Sequence, residues 1–551
     1  MKKLSLMLAA VMMLGVVLTA CGGSASSGAA SGSGTASGSG AAGALNLVVQ
    51  VGPNPETIDP ALNTTVDGGN MLVHAFETLL IIDKDNAIQP GQAESYDVSE
   101  DGLTWTFHLR DGLKWSDGTD LTANDFVYSW KRIVDPDVAA PYAATVLGMV
   151  KGFDEAQAGD AEALAVSAPD DKTFVVELAK PTPYFTSLAA FATLSPVQEA
   201  TVEANGEAWA TEAASYVSNG PLYVTEWVPS SHITMSKNPN YWNADAITVE
   251  SIKFMLMEDS NASYSAYQTG DVQMIKDVPT EEIPALSDNS EFHISSNMGT
   301  YYISMRNQEA PLNDPLVRQA LSLAIDRDYV ANTIMQGTYT PAYNFVGPGI
   351  TTADGSEFMD TANGGVPYIS EDYEANLAKA KELLVEAGYP NGEGLPAIEY
   401  ATNDTAYHRP VAEYLQQAWK ELGLTVDVKI VEWATFSADR RAGAYMSARN
   451  GWLFDYNDPS NMLENLATGN GNNDGKYSNP AYDKALENAS ITVDPDARFE
   501  FLHEAEDILM ADMGVIPLAY YNDFYLINDN LTGWWHSPYG YWYFMYTEIA
   551  A

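Results

Sequence analysis

The segment 438–463 concentrates side chains that could grip a small charged molecule. Arg440 and Arg449 stand nine residues apart, Trp452 follows, and Asp455 comes three residues after it. A guanidinium binds a carboxylate through two charge-assisted hydrogen bonds, and a buried carboxylate can neutralise an ammonium. The spacing therefore suits a site for a zwitterion. On general grounds alone, a loop with exposed ion pairs is the commoner explanation of such residues.

The sequence lacks the motifs of the common enzyme classes. It contains no G-x-S-x-G elbow, no H-E-x-x-H helix and no Walker loop, because Lys476 is followed by Tyr477 rather than by Ser or Thr. His503 and Glu504 have no second histidine after them. We therefore predict a protein that is not an enzyme, with no cofactor and no metal site.

The first 20 residues predict a lipoprotein signal peptide. Lys2 and Lys3 precede an apolar run that is too short for a comfortable membrane span, and the run ends in a lipobox-like Leu-Thr-Ala-Cys at residues 18–21. Cys21 is the only cysteine, so a disulfide framework is excluded. We expect its thiol to be lipidated.

Residues 21–44 predict a flexible linker. After Cys21 this stretch contains only Gly, Ser, Ala and Thr, which cannot bury apolar surface. Its root-mean-square span is on the order of 25–30 Å, at about 5–6 Å per square-root residue. It would tether a folded part above a membrane.

The composition is strongly acidic. The chain has 27 Lys and Arg against 74 Asp and Glu, a net charge of −47. Such a charge repels nucleic acid and favours a soluble monomer, so we expect no nucleic-acid partner. The 31 Tyr and 12 Trp would suit an extended binding cleft.

Local patterns predict alternating helices and strands. Residues 45–51 and 103–109 alternate as strands, and Thr122 with Asp125 forms a capping box before a helix whose aromatic residues we assign to the core. Asp314 would cap a helix that has Pro315 at its first position. Further on, helices at 371–387 and 410–422 end at glycines, and β-like runs follow at 398–402 and 424–431. This alternation indicates an α/β lobe.

Several ordered segments carry a family resemblance. The pattern R-x8-R-x2-W-x2-D-Y-N-x-P, the run LTWTFHLRDGLKWSDGTDLTANDFVYSWKR and the run NGPLY…W…NPNYW resemble the oligopeptide-binding proteins of bacterial ABC importers, within the peptide/nickel-type extracellular solute-binding family. The resemblance covers the chain from Leu45 to its end.

The resemblance implies an α/β, bilobal periplasmic-binding-protein-like fold with an inserted domain, its two lobes joined by hinge strands. It places lobe I in 45–66, 200–302 and 520–551, the inserted domain in 67–199, and lobe II in 303–519.

The resemblance also implies which residues contact a ligand. Asp455 would hold the N-terminal ammonium of a peptide, and Arg449 and Arg440 would approach its C-terminal carboxylate. The backbone at Trp452 and Leu453 would add hydrogen bonds like those of an extra strand.

Four further positions follow from the same resemblance. Trp433, like Trp452, would lie beside the ligand, and Tyr142 would close over it from the inserted domain. His408 matches a histidine used for longer peptides, although a lone histidine at a helix start is more often on the surface. Asn54 stands where some relatives carry a glutamate, which removes one charge from the site.

The implied function is capture of short peptides and their delivery to the transmembrane subunits of an ABC permease. The protein would be exported and lipid-anchored to the outer face of the bacterial cytoplasmic membrane. Alternatives are the same fold binding an oligosaccharide or a nickel chelate, or a peptide sensor or adhesin without a transport role.

Overall fold

The computed structural model describes residues 45–55, 57–352, 355–405 and 407–550. The predicted signal peptide, the linker and Cys21 lie outside the described residues. Within the described part of the chain, no helix is both long and apolar enough to span a membrane.

The strands are numbered β1 to β21 in chain order. Their bounds are Leu45–Gly52, Leu80–Ile82, Ile88–Pro90, Ala93–Val98, Thr104–Leu109, Val166–Asp170, Thr173–Glu177, Leu222–Val228, His232–Lys237, Val249–Leu256, Met274–Ile275, Phe292–Met305, Thr340–Pro341, Ile398–Asn403, Val426–Val431, Ser447–Leu453, Val515–Ile527, Leu531–Thr532, Trp535–His536, Trp542–Tyr543 and Glu548–Ile549.

The α-helices are numbered α1 to α16. Their bounds are Val66–Ala75, Ala123–Val134, Ala143–Leu147, Phe153–Gln157, Phe185–Ala189, Glu199–Asn205, Ser260–Thr269, Ile283–Leu286, Pro315–Leu323, Phe358–Thr361, Tyr373–Glu386, His408–Lys420, Trp433–Arg441, Ser460–Leu463, Pro480–Ile491 and Pro495–Asp512. Short 3₁₀ segments and one π-helical segment lie between them at Ala161–Ala163, Ala192–Leu194, Gly206–Ala210, Ala213–Ser215, Ala244–Ala246, Tyr329–Ile334, Ala362–Gly364, Pro390–Gly392 and Glu464–Leu466.

Two long antiparallel strands connect the halves of the molecule. The largest sheet has the order β15-β14-β16-β12-β17-β11-β1-β10-β9-β8, and β13 also pairs with β17. β12 and β17 pair from Phe292 opposite Leu526 to Ser304 opposite Val515, with a register shift between Ser296 and Thr300. On one side of this strand pair, β12 pairs with β16. On the other side, β17 pairs with β11, which in turn pairs with β1.

Each half has its own hydrophobic core. One cluster gathers buried residues between Leu47 and Leu256 together with C-terminal aromatic residues, and a second lies between Met298 and Ala519. This arrangement confirms the predicted α/β, bilobal fold with connecting strands. The domain boundaries named above remain a prediction.

A separate four-stranded antiparallel sheet, β4-β5-β7-β6, packs against α2. Alternate residues of β5 are buried, as the pattern predicted. α2 begins at Thr122 with the predicted capping box, in which the Asp125 carboxylate accepts from the Thr122 backbone N–H at 2.7 Å. Phe126 and Trp130 are fully buried, which confirms their assignment to the core.

The second half contains the predicted helix–strand units. α9 begins with Asp314 as its cap and Pro315 at its first position. α11 and α12 lie within two residues of their predicted bounds, and β14 and β15 pair in parallel. Gly423, three residues after the end of α12, has a φ of +81°, and a Cβ there would lie 2.0 Å from the carbonyl oxygen of Asn391. Only glycine fits this turn.

Candidate ligand-binding cleft

Strand β16 carries the central residues of the predicted site along an open edge. It pairs antiparallel with β12 from Ser447 opposite Met305 to Leu453 opposite Gly299. On its other side, within the described residues, β14 pairs with β16 only at Ser447 and Ala448. The backbone of residues 449–453 therefore has no partner strand on that side. Such an edge can accept an added peptide strand.

A cavity of about 830 Å³ opens beside this edge, within the usual range for small-ligand sites. Five of the predicted residues line it: Tyr142, Arg449, Trp452, Leu453 and Asp455. Residues from the region of the predicted inserted domain and from the C-terminal aromatic segment complete the wall. Leu453 is 42% exposed, so an apolar side chain faces the opening.

The Asp455 carboxylate receives hydrogen bonds from both sides of the cavity. The Tyr142 hydroxyl donates to Oδ1 at 3.2 Å, and the Asn461 amide donates to Oδ2 at 3.4 Å. Burial raises the pKa of Asp455 above its ordinary value, and these two hydrogen bonds partly oppose the rise. Burial and the charge of Asp455 also raise the pKa of Tyr142, which keeps its hydroxyl a donor.

Asn461 positions two of the predicted residues at once. Its Oδ1 accepts from the indole Nε1 of Trp452 at 2.9 Å and from the backbone N–H of Asp455 at 3.2 Å. The loop after β16 is thereby fastened to α14, and the indole and the carboxylate are held side by side. Sequence reasoning did not select Asn461.

Arg449 presents a cation to the cavity without an anionic partner. Its Nη2 donates to the Tyr521 hydroxyl at 3.2 Å, and its guanidinium lies 5.3 Å from the ring centre of Tyr301. Among the described residues, no carboxylate forms an ion pair with it, and its buried Nε has no hydrogen-bond acceptor. Tyr521 can approach because a Cβ at Gly451 would lie 2.2 Å from its hydroxyl oxygen. A buried cation of this kind favours an anionic group of a ligand.

His408 is buried behind Arg449 and does not line the cavity. Its Nδ1 lies 3.4 Å from the Tyr301 hydroxyl. Burial, followed by the charge of Arg449, lowers the pKa of His408 to about 3, so the imidazole is neutral at physiological pH. The expectation that a histidine at this helix start is more often exposed does not hold here, because Tyr301 and α12 cover the ring.

Arg440 does not reach the cavity lining. Its Nε forms an ion pair with the buried Asp474 at 3.0 Å, and its Nη1 donates to the Asn450 side chain at 2.5 Å and to the Arg449 carbonyl at 3.4 Å. This placement differs from the expected approach to a ligand carboxylate, because Asp474 already neutralises the guanidinium. Arg440 instead braces the strand that carries Arg449.

Trp433 and Asn54 lie outside the cavity wall. Trp433 is 51% exposed at the start of α13, with the Arg449 guanidinium 6.0 Å from its ring centre. The Asn54 side chain donates to the Pro55 carbonyl at 2.9 Å and accepts from the Ser230 backbone N–H at 3.1 Å. In this structure Asn54 secures a loop and does not face the cavity.

The cavity also contains residues that sequence reasoning missed. They are Lys180, Tyr184, Asn461, Glu464, Tyr521, Tyr539 and Tyr541. The surplus of tyrosine indicated an aromatic cleft in general. It did not indicate which tyrosines meet, because Tyr521 and Tyr541 reach the cleft only through the pairing of β17 and the packing of the C-terminal segment.

Two lobes connected by long strands, with a charged cavity beside an open strand edge, define a solute-binding protein. A family model described as bacterial extracellular solute-binding proteins, family 5 Middle, matches residues 87–474, and the chain belongs to this family. This membership confirms the predicted family and the prediction of a binding protein rather than an enzyme.

Curated relatives and solved structures agree with this membership. The oligopeptide-binding protein OppA of Bacillus subtilis (strain 168) is 34% identical over 505 residues, covering 89% of this chain and 90% of the relative. The murein tripeptide-binding protein MppA in its unliganded open form aligns with a TM-score of 0.79 at 30% identity, covering 92% of this chain and 98% of MppA. Haemophilus influenzae OppA in complex with RPPGFSPFR aligns with a TM-score of 0.71 at 30% identity, covering 92% and 99%.

Proposed function

We propose that this protein captures short peptides in its cleft and delivers them to the membrane subunits of an ABC permease. One observation carries the proposal. A single cavity presents the carboxylate of Asp455 and the unpaired guanidinium of Arg449, with an open strand edge between them. A peptide offers a matching ammonium, carboxylate and extended backbone. The similarity to OppA and MppA supports the same ligand class.

Each group of the cleft has a distinct role in this proposal. Asp455 pairs with the N-terminal ammonium, which offsets the cost of burying both charges. The edge of β16 binds the peptide backbone, and Trp452 and Leu453 flank it. Arg449 binds the C-terminal carboxylate of peptides long enough to reach it.

The remaining predicted positions have supporting roles. Arg440 holds Arg449 in place through its carbonyl, and His408 lies behind the Tyr301 ring. Trp433 would be covered when the lobes close over a ligand, and Tyr142 would close from the opposite side. We assign no direct contact to Asn54 in the arrangement described, since its amide is already bonded to the loop at Ser230.

We further propose that the protein acts as a monomer held at the outer face of the cytoplasmic membrane by a lipid on Cys21. The two lysines, the apolar run and the lipobox-like residues 18–21 support this part. Two acyl chains suffice for stable anchoring, whereas one is marginal. Cys21→Ala should leave the protein soluble or retained as a precursor. Wild-type protein in the aqueous phase of a detergent extraction would overturn the anchor.

Native mass spectrometry of the purified protein, followed by calorimetry, tests the peptide assignment. We expect a heterogeneous set of co-purified peptides, and we expect peptides of about two to six residues to raise the melting temperature. The peptide assignment would be overturned if oligosaccharides or a nickel chelate raised the melting temperature and peptides did not. Uptake of labelled peptide by cells with and without the protein separates transport from a sensor or adhesin role.

A further inference from the structure

The end of the cleft beyond Asp455 contains a second carboxylate. Asn461 belongs to α14, and the 3₁₀ turn that begins at Glu464 continues that helix. Residues three apart on a helix lie on the same face. Glu464 therefore lies about one helical turn, roughly 5 Å, beyond the residue that hydrogen-bonds Asp455. It lines the same cavity.

The Glu464 carboxylate has no partner among the described residues: it forms no ion pair and its side chain accepts no hydrogen bond. Nearby Arg498 is engaged by Asp458 in two hydrogen bonds of 2.7 and 2.8 Å, so that pair is already neutral. Burial raises the pKa of Glu464, and the charge of Lys180 partly opposes the rise. A half-buried carboxylate facing a cavity in this way favours a cation.

The surroundings suit a cationic side chain. Tyr184 forms one wall, and its ring stacks on Tyr456 with the ring centres 4.6 Å apart. The amides of Asn465 and Asn472 line the same end and are hydrogen-bonded to each other at 3.1 Å. The end is therefore polar, and among the described residues Glu464 and the exposed Lys180 are the charged side chains that line the cavity there. The Arg498 guanidinium lies 5.7 Å from the Tyr184 ring centre, but it is already paired with Asp458.

We propose that Glu464 forms a second cation subsite, which binds the ammonium or guanidinium of a lysine or arginine at the first position of the peptide. This inference rests on the proposed function, because Asp455 must hold the α-ammonium of that same residue. One helical turn, the spacing between Asn461 and Glu464, is within the reach of a side chain with three or four methylenes. Specificity for a basic first residue follows.

Calorimetry with matched tripeptides tests the subsite. Lys-Ala-Ala and norleucine-Ala-Ala differ only in the terminal ammonium of the first side chain. We expect the wild type to bind the lysine peptide about tenfold more tightly. Glu464→Gln should abolish this preference while still binding both peptides, which also shows that the variant is folded. Lys180→Met should keep or enlarge the preference, since it removes a repelling charge.

Four results would overturn the inference, and they are distinguishable. Equal affinity of the wild type for both peptides, or a preference that survives in Glu464→Gln, would exclude the subsite alone. Equal weakening of both peptides by Glu464→Gln and by Lys180→Met would assign the two residues to an ion pair made on closure. Failure of the wild type to bind either peptide would instead remove the proposed function, and the subsite with it.

Discussion

The Tyr142 hydroxyl donates a hydrogen bond to the Asp455 carboxylate across 3.2 Å, although the two residues are 313 positions apart in the chain. The bond joins the segment before α3 to the loop after β16. It is one of two side-chain hydrogen bonds that partly offset the effect of burial on the pKa of this carboxylate. The arrangement therefore keeps a partly desolvated anion ready for a cationic ligand group.

Removal of this hydroxyl is the first test. Tyr142→Phe should raise the pKa of Asp455 further, because the bond stabilises the ionised form. Below the pKa of the free carboxyl in the variant, peptide affinity should fall by up to about tenfold, or about 1.4 kcal/mol, for each pH unit by which that pKa rises.

The affinity for peptide should depend on pH in a direction that the pKa of Asp455 determines. An ammonium bound to Asp455 lowers the carboxyl pKa in the complex, so affinity should rise with pH through the pKa of the free protein and then level off. The rise should occur at higher pH in Tyr142→Phe than in the wild type. Calorimetry from pH 4 to pH 8 would show this shift, and superimposable profiles would contradict it.

Substitution of Arg449 should depend on peptide length. Arg449→Gln removes the only contact that we assign to the C-terminal carboxylate of the peptide. Peptides long enough to reach residue 449 should therefore lose about tenfold to a hundredfold in affinity. Shorter peptides and C-terminally amidated peptides should bind both forms alike. Arg441→Gln is the matched control, because Arg441 is exposed. A uniform loss for all peptides in Arg449→Gln would contradict the assignment.

Closure of the cleft should be visible in tryptophan fluorescence. Trp433 is 51% exposed, and a peptide bound beside Arg449 would cover it, shifting the emission to shorter wavelength. Trp433→Phe should reduce this shift, and the part that remains is assigned to Trp452 in the cavity wall. Trp242 is 36% exposed, but its ring packs against the Arg110 guanidinium at 3.7 Å and not against Arg449, so Trp242→Phe should retain the shift. The reverse pattern would exclude Trp433 as a reporter of binding.

Several elements were predictable because their causes are local. The capping box of Thr122 and Asp125 and the proline at the start of α9 follow from rules that act within four residues. The alternation in β5 marks its buried face in the same way. In such segments the local preferences agree with the fold.

The cleft was less predictable because its contacts span distant segments. Arg440 and Arg449 look equivalent in the sequence, yet Asp474 neutralises only the first. The spacing of the two arginines in the sequence does not indicate which of them is neutralised. Asn461 follows Asp455 by six residues, but its role depends on the direction in which α14 leaves the loop.

The buried Glu506 predicts a stability change that is independent of ligand. Its Oε1 accepts from the backbone N–H groups of Phe345 and Val346 at 3.0 and 2.7 Å, whereas its buried Oε2 has no partner among the described residues. Burial raises the pKa of Glu506 from 4.5 to about 8. The folded protein thus binds a proton that the unfolded chain releases between these values.

The free energy of unfolding should therefore fall as pH rises from about 4.5 to about 8, by at most about 1.4 kcal/mol per pH unit from this group. Glu506→Gln keeps a side-chain oxygen that accepts from the backbone N–H groups of Phe345 and Val346, but its amide does not titrate. Its free energy of unfolding should therefore lack this slope and should exceed that of the wild type toward pH 8. Glu504→Gln, on the exposed side of the same helix, should retain it. Urea unfolding across this range decides, and parallel slopes in all three proteins would contradict the assignment.

Pairing of Asp455 with the N-terminal ammonium of a peptide is the central claim, and a double-mutant cycle by calorimetry tests it most directly. The cycle combines Asp455→Asn with a peptide in free-amine and N-acetylated forms. Because the ionised carboxylate is costly to bury, the Asn variant should be no less stable than the wild type at neutral pH, so misfolding would not explain a loss.

We predict that Asp455→Asn weakens binding of the free-amine peptide at least a hundredfold, since losing one partner of a buried pair costs on the order of 3–5 kcal/mol. N-acetylation should weaken binding to the wild type by a similar factor. The two losses should not add, because both remove the same contact. Full affinity of the Asn variant for the free-amine peptide, or strictly additive losses, would contradict the account.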